Sequence, residues 1–276
     1  MNGKPVMELK YSISNIAWDK EHDAEMYRFL KENGIQGLEI APTRLFDDPY
    51  DNLERSHLYA RMLKNRYSLS VSSMQSIWYR VSDRIFGTDE ERERLLAYTK
   101  KAILFAESMG INNMVFGCPR NRRIPEEMSE KQVMETALPF FKELGDYASE
   151  HHTVLAMEAN PEIYGTNFLN GTREACEFAR KVGSSGLKVN IDMGTMIHNK
   201  ENPHLVKTYK TLVNHIHISF PNLVPIEECE EYRTLRKVLG KIDYDGYISV
   251  EMKNTGDIQA AKGAILFVKE FFNGIP

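Results

Sequence analysis

Four side chains of metal-ligating type lie at the ends of four apolar segments in the second half of the chain. They are Glu158 in TVLAMEANP, Asp192 in LKVNIDMGTM, His217 in VNHIHIS and Glu251 in GYISVEMK. Successive members are 34, 25 and 34 residues apart, about the length of a strand, a helix and two loops. Three carboxylates and one imidazole suit Mn²⁺, Mg²⁺, Co²⁺ or Zn²⁺. The pattern therefore predicts one divalent metal ion held by these four residues.

Such a centre would favour proton-transfer chemistry on a carbonyl compound. Buried carboxylates repel one another unless a cation or a proton neutralises them, and a metal ion can polarise a carbonyl group. Glu158 and Glu251 could then exchange protons with the carbon beside that carbonyl, through an enediolate. The expected outcome is epimerisation or aldose–ketose isomerisation. Taken singly, each carboxylate could equally serve a structural salt bridge or a helix cap.

The seventh apolar segment offers two histidines for this centre. His215 and His217 alternate with an isoleucine, so both side chains point to the same side of a strand. His217 is the preferred ligand because it lies nearer the C-terminal end of the segment. His215 is then expected to be a packed core histidine.

The rest of the chain supplies the elements that would bring the four ligands together. Apolar or β-branched segments begin near residues 11, 36, 68, 113, 154, 187, 213 and 247. Amphipathic stretches between them predict helices at 19–34, 89–110, 129–151, 172–183, 227–240 and 257–272. In 129–151, Pro139 predicts a kink or a break. This alternation predicts an α/β fold, a single (β/α)8 TIM barrel spanning residues 1–276, whose C-terminal strand ends open on one face.

Bulk composition narrows the class of protein. Of the 276 residues, 42% are hydrophobic and 27% charged, which is ordinary for a globular enzyme, and the net charge of −4 provides no general attraction to nucleic acid or to anionic membranes. No apolar run of about 18 residues predicts a membrane span, and the N-terminal residues lack the apolar core of a signal peptide. The three widely spaced cysteines form no disulfide framework. A cytoplasmic location is the expectation.

Other residues near the predicted strand ends are candidates for substrate binding. The long loops predicted at 42–53, 77–88 and 117–129 would shape the pocket. Arginines there can bind a phosphate or a carboxylate, amides can bind hydroxyl groups, and aromatic rings can stack on a sugar, although each also has an ordinary structural role. The candidates are Gln75, Arg120, Arg122, Asn160, Trp18, Trp78 and Phe220.

The chain resembles the xylose-isomerase-like TIM barrel superfamily, also described as the sugar phosphate isomerase/epimerase and AP endonuclease family 2 group. The resemblance runs from YSISNIAW and GIQGLEIAPTRLF through VFGCPRNRR, LAMEANPEIYGTNFLN and VNIDMGTM to NHIHIS and DGYISVEMK. It implies that Glu158, Asp192, His217 and Glu251 hold the metal ion and that the two glutamates exchange protons with a small-molecule sugar or sugar phosphate. Dimers and tetramers are common in this superfamily, so it also implies a possible homo-oligomer.

The chain departs from ketose epimerases of this superfamily at substrate-binding positions. Thr195 replaces a histidine three residues after the strand 6 aspartate, and Tyr164 replaces a glutamate six residues after the strand 5 glutamate. Phe220 and Pro221 stand where a glutamate commonly follows strand 7. The resemblance therefore implies an intact metal centre with a changed substrate, such as another polyol, a keto acid or a sugar phosphate.

Three other functions fit the same scaffold. A metal-dependent dehydratase would use the same metal ion and bases. An AP endonuclease would need extra histidines at the ends of strands 2 to 4, where the sequence has none. A non-catalytic carbohydrate-binding barrel would bind a sugar without turnover.

Overall fold

The predicted apolar segments form the eight strands of a closed parallel barrel. The computed structural model describes residues 9–242 and 244–273. Each strand pairs with the next along the chain, and the eighth pairs with the first, which confirms the predicted (β/α)8 barrel. The first eight and last three residues of the predicted domain lie outside the described ranges. The strands are β1 Lys10–Ser14, β2 Gly37–Ile40, β3 Ser70–Met74, β4 Met114–Phe116, β5 Leu155–Glu158, β6 Leu187–Asp192, β7 Val213–Ile218 and β8 Tyr247–Val250.

The helices lie between the strands, and none in the described part of the chain is long and apolar enough to cross a membrane. Six of them fall within the predicted helical stretches to within a few residues, and the helix at residues 53–67 is an addition to those predictions. The helices are α1 Asp23–Glu32, α2 Pro42–Leu45, α3 Leu53–Tyr67, α4 Asp89–Met109, α5 Glu130–Glu150, α6 Thr172–Val182, α7 Met193–His198, α8 Leu205–Thr208, α9 Glu230–Leu239 and α10 Ile258–Phe272.

Side-chain caps explain why the two longest helices begin where they do. Thr88 caps α4 and Ser129 caps α5, and each hydroxyl accepts a hydrogen bond from a backbone N–H in the first turn. Of the predicted kink or break at Pro139, the break is wrong, because α5 continues through the proline, and the kink stays a prediction. The proline is on the exposed face of the helix, where water can hydrate the carbonyl that it leaves unbonded.

The barrel interior is unusually polar towards its C-terminal end. At that end, the inward-facing side chains form a buried hydrogen-bond network and not a hydrophobic core. Gln75, for example, donates to Ser14 Oγ at 2.9 Å and to Glu39 Oε1 at 3.1 Å. Such a network is stable only when its polar groups find partners, so the barrel is built around polar contacts at this end.

The strand register fixes the relative positions of the predicted ligands. Asp192 on β6 is the direct neighbour of His217 on β7, and Glu158 on β5 is the direct neighbour of Asn190 on β6. Glu251 follows β8 directly, and its backbone N–H donates to Ile218 O at the end of β7. The four residues therefore lie on four consecutive strands at the same end of the barrel.

Candidate metal centre

Three of the four predicted ligands converge on one point. His217 Nδ1 lies 3.2 Å from Glu158 Oε2 and 3.1 Å from Glu251 Oε2. Glu158 and Glu251 are each 8% exposed, and His217 is fully buried. The three donor atoms lie within 4.8 Å of one another, so a small cation could contact all of them.

The residues fit a metal ion because one buried donor atom lacks a partner. His217 Nδ1 makes no aligned hydrogen bond with any described residue, although two carboxylate oxygens lie near it. Metal–ligand bonds of about 2.0–2.2 Å place adjacent ligand atoms roughly 3.0–3.5 Å apart. The observed separations of 3.1 and 3.2 Å fall within the range expected for ligands around a common ion.

Glu39, which the sequence analysis did not assign, holds the far side of the imidazole. Its Oε2 lies 2.9 Å from His217 Nε2 and 3.1 Å from His215 Nε2, and only the contact with His217 is aligned as a hydrogen bond. Burial opposes ionisation of Glu39, but the charge of His217 and the close contacts with both histidines lower the pKa of its carboxyl. Burial disfavours the charged imidazole, but the charges of Glu39 and Glu251 raise the pKa of His217 well above its ordinary value. A cation held by the two other glutamates would replace the proton on Nδ1, while Nε2 keeps donating to Glu39.

Two amides hold Glu158 in position. Asn160 Nδ2 donates to Glu158 Oε1 at 2.9 Å, and Asn190 Nδ2 donates to Oε2 at 2.6 Å. Burial favours the neutral acid, but the close contact and charge of His217 and the two amide hydrogen bonds outweigh it. The pKa of Glu158 is therefore lowered.

Glu251 has a different environment. Its Oε2 faces His217, and its Oε1 accepts no hydrogen bond from residues 9–242 or 244–273. Burial raises the pKa of Glu251 to about 7, against the opposing charge of His217. The two glutamates therefore differ in their tendency to hold a proton.

Asp192 lies at the same pocket but is turned towards the start of α7. Its Oδ2 accepts the Thr195 N–H at 2.8 Å and lies 2.7 Å from Thr195 Oγ1, while Ser219 Oγ donates to Oδ1. Burial and the charge of Glu158 raise the pKa of Asp192. Asp192 is not one of the three converging donors, and its role as the fourth ligand stays a prediction.

The converging carboxylates open into a small pocket with a volume of about 170 Å³. Gln75 and Asn160, both predicted to bind substrate, line it, and so does Tyr164. Tyr164 Oη accepts the Asn222 N–H at 2.8 Å, which joins the loops that follow β5 and β7. The other lining residues are Ser76, Val115, Gly117, Cys118, Pro119, Glu158, Asp192, Leu223 and Glu251.

Arg122 requires a correction, because it is fully buried and cannot contact a substrate. Its guanidinium donates to Glu158 O at 2.9 Å and to Asn160 Oδ1 at 3.0 Å. Burial lowers the pKa of Arg122 to about 10, which leaves it a cation at neutral pH. Arg122 therefore supports the end of β5 and orients the Asn160 amide. Arg120 is exposed and lines a neighbouring groove instead of the pocket.

None of the three predicted aromatic contacts lines the pocket itself. Trp18 is 2% exposed, and its Nε1 donates to Asp23. Trp78 is 3% exposed, donates to Thr99 Oγ1 at 2.9 Å and reaches only the neighbouring groove. Phe220 packs edge-on against Tyr232 and is not part of the pocket lining.

Comparisons with known proteins agree with this architecture. The family described as xylose isomerase-like TIM barrel matches residues 27–271 of the chain. No curated protein sequence matches.

Solved structures share the fold at low sequence identity. A 3-keto-D-glucoside 4-epimerase from E. coli is 18% identical, with a TM-score of 0.77, over 95% of this chain and 100% of that one. A D-psicose 3-epimerase from Clostridium cellulolyticum H10, solved with D-tagatose, is 14% identical, with a TM-score of 0.80, over 97% and 99% of the two chains. A protein described as AP endonuclease, family 2, from Brucella melitensis is 16% identical, with a TM-score of 0.75, over 95% and 100%.

Proposed function

The chain belongs to the xylose isomerase-like TIM barrel family, and we propose that it is a metal-dependent isomerase or epimerase of a sugar or sugar derivative. The observation that carries the proposal is the convergence of His217 Nδ1 with Glu158 Oε2 and Glu251 Oε2 at 3.2 and 3.1 Å. This arrangement combines a cation site with two carboxylates that can move protons.

The described residues would hold one divalent cation between Glu158, His217 and Glu251, with Asp192 as the fourth candidate ligand. A divalent ion bound there would polarise a substrate carbonyl and increase the acidity of the adjacent carbon. Borderline cations such as Mn²⁺, Co²⁺ and Zn²⁺ accept both imidazole and carboxylate ligands, while Mg²⁺ favours oxygen ligands.

The environments of the two glutamates assign them opposite starting roles. Glu158 accepts two amide hydrogen bonds that favour its ionised form, so it removes the proton from the carbon beside the carbonyl. Glu251 Oε1 is free of hydrogen bonds from the described residues, so it can carry the proton that is returned. Pairs of acids whose environments separate their proton affinities are typical of acid–base catalysis. The roles exchange in the reverse reaction.

Proton return at the other face of the same carbon gives an epimer, and return at the neighbouring carbon gives an isomer. The solved structures of similar fold include enzymes named for epimerisation at carbon 3 and at carbon 4 of a sugar. These names support sugar epimerisation here as the reaction class.

A metal titration combined with solvent exchange tests the proposal. Purified protein is stripped with a chelator, reloaded separately with Mn²⁺, Co²⁺, Zn²⁺ or Mg²⁺, and incubated in D₂O with a panel of ketoses, aldoses, keto-glucosides and sugar phosphates. We expect about one ion per chain and deuterium at the carbon beside the carbonyl of a competent sugar. Glu158→Gln and Glu251→Gln should each abolish exchange, and Glu162→Gln, in the loop after β5, is the matched control.

Other results of the same experiment would indicate a different function. Loss of water from the substrate, seen as a mass decrease of one water molecule, would identify a dehydratase. Sugar binding that survives in both glutamine variants, without turnover in the unchanged protein, would identify a carbohydrate-binding barrel. Failure to bind any of the four ions would refute the metal centre itself.

A further inference from the structure

A second, larger depression lies beside the catalytic pocket. The loops that follow β3 and β4 enclose a groove with a volume of about 790 Å³. The groove and the catalytic pocket share Ser76, Cys118 and Pro119 as lining residues. A ligand bound in the pocket could therefore extend into the groove without crossing a separate wall.

The groove carries positive charge. Arg80, Arg84 and Arg120 line it, and no carboxylate does. Arg84 lies 3.7 Å from Glu91, whereas Arg80 and Arg120 form no ion pair with any of residues 9–242 or 244–273. The Arg80 guanidinium lies 5.5 Å from the ring centre of Tyr79, which is itself 55% exposed. Arg80 also lines a neighbouring depression together with Asp47, Asp48 and Asp51, but it pairs with none of them, so two guanidinium groups can reach a ligand in the groove.

Buried hydrogen bonds join the two loops of the groove and hold them in a fixed relative position. Asn121, which is 7% exposed, donates through Nδ2 to Val81 O at 2.9 Å and to Asp83 O at 2.8 Å. Its own carbonyl accepts the Ile85 N–H at 2.8 Å. These bonds fix the loop that carries Arg80 and Arg84 against the one that carries Arg120.

The catalytic pocket has the opposite character. Glu158, Asp192 and Glu251 line it, and its lining contains no lysine or arginine. The pocket lining therefore offers an anionic substituent no guanidinium or ammonium partner. The pocket volume of about 170 Å³ is below the roughly 300–1,000 Å³ of most ligand sites, and that range is reached only when the groove is included.

We propose that the groove is a subsite for an oxyanion substituent of the substrate, a phosphoryl or carboxylate group carried away from the reacting carbons. This proposal rests on the proposed function, because the other end of the same substrate would react in the pocket. Arg80 and Arg120 would each donate paired hydrogen bonds to the oxyanion, a geometry for which the guanidinium group is suited. The substrate class is then an anionic sugar derivative whose uncharged, reacting end faces the metal centre.

Calorimetric titration of the Mn²⁺-loaded protein tests this subsite directly. The probes are D-glucose 6-phosphate, D-glucose 1-phosphate, D-glucuronate and neutral D-glucose, with inorganic phosphate as a minimal oxyanion. At least one anionic sugar should bind about tenfold more tightly than D-glucose, since each charge-assisted hydrogen bond contributes a factor of this order. The phosphate and glucuronate arms distinguish a phosphoryl site from a carboxylate site.

The decisive variant is the double substitution Arg80→Gln, Arg120→Gln, which should reduce the anionic preference to within about threefold of D-glucose. Arg61→Gln, Arg123→Gln is the matched control, because both residues are exposed arginines outside the groove. The two single variants, each expected to lose part of the preference, serve if the double variant fails to fold.

Three outcomes would overturn the subsite: equal binding of charged and neutral sugars, a preference that survives the double variant, or an equal loss in the control. Failure of the proposed function is a separate result, since it would show as missing metal or missing deuterium exchange while binding of the oxyanion could still be measured.

Discussion

Replacing Glu39 with glutamine tests whether the carboxylate behind His217 controls the metal centre. Glu39 is fully buried, and its Oε2 accepts the His217 Nε2–H at 2.9 Å. The substitution preserves the shape of the side chain but removes its charge. It also introduces an NH₂ group that must face either His217 Nε2 or Gln75 Nε2, and both of these already act as donors to Glu39.

The expected loss of metal affinity follows from the removed charge and from the donor that is left without a partner. Partners that orient a metal-bound histidine contribute about 10–100-fold to metal affinity, or about 1.4–2.7 kcal/mol. We expect the upper end, a loss of about 100-fold, because Glu39 also lies 3.1 Å from His215 Nε2 and one carboxylate therefore serves two buried imidazoles.

The assay is the dissociation constant of Mn²⁺ or Co²⁺, measured by competition with a chelator of known affinity. Glu107→Gln is the control, because Glu107 also lies 2.9 Å from a histidine, His151, but on the surface, where such pairs contribute at most about 1 kcal/mol. A Glu39→Gln protein that binds the ion within threefold of the unchanged protein would refute the reasoning. So would an equal loss in the Glu107 variant.

Three further predictions concern the same centre. Asn190→Asp replaces the amide that donates to Glu158 Oε2 with a second acid, which raises the pKa of Glu158. Deuterium exchange should therefore fall at neutral pH and recover as the pH rises, and an unshifted pH–rate profile would contradict this. Arg122→Lys cannot bridge Glu158 O and Asn160 Oδ1, so the free energy of unfolding in denaturant should fall by about 2–3 kcal/mol, whereas exposed Arg120→Lys should leave it unchanged. Chelation of a metal ion present at about 100 times its dissociation constant should remove about 2.7 kcal/mol of stability and lower the melting temperature by about 5–10 °C, and an unchanged melting curve would exclude a bound ion.

The sequence predicts the frame of the site well because the frame depends on periodicity. Strands that are buried on both faces appear as apolar runs, and in a parallel barrel their C-terminal ends must share one face. Glu158, His217 and Glu251 could therefore be placed together from spacing alone. The alternation in β7 likewise placed both histidines inside the barrel.

Residues whose roles depend on loop conformation were not predictable in this way. Arg120, Arg122 and Arg123 look alike in the sequence, yet only Arg122 is buried. The reason is local: Cys118 adopts a left-handed conformation with φ of 43°, and a short 3₁₀ turn, Pro119–Arg122, follows it. Nothing in the spacing of the arginines specifies that turn.

Glu39 left a weaker signal that the sequence analysis did not use. It is a charged residue within the short apolar strand GLEI, and a carboxylate at such a position needs a buried partner. Its partner is 178 residues away in the chain, on β7. The helix α3 was missed for a different reason, because only three of its fifteen side chains are buried and its apolar stripe is weak.

The replacements at Thr195 and Tyr164 fit a substrate that is bound by loops on a different side of the pocket. Thr195 Oγ1 donates to Ala159 O at 2.9 Å, and Tyr164 Oη accepts the Asn222 N–H, so both of these replacements join separate segments of the protein. Polar recognition on the β5–β7 side of the pocket is correspondingly reduced. On the β3–β4 side, Arg80 and Arg120 line the groove and form no ion pair with the residues that the structure describes. An enzyme that keeps its acid–base centre while its charged contacts move to other loops changes substrate without changing chemistry, and the arginine groove is where that change would be detected.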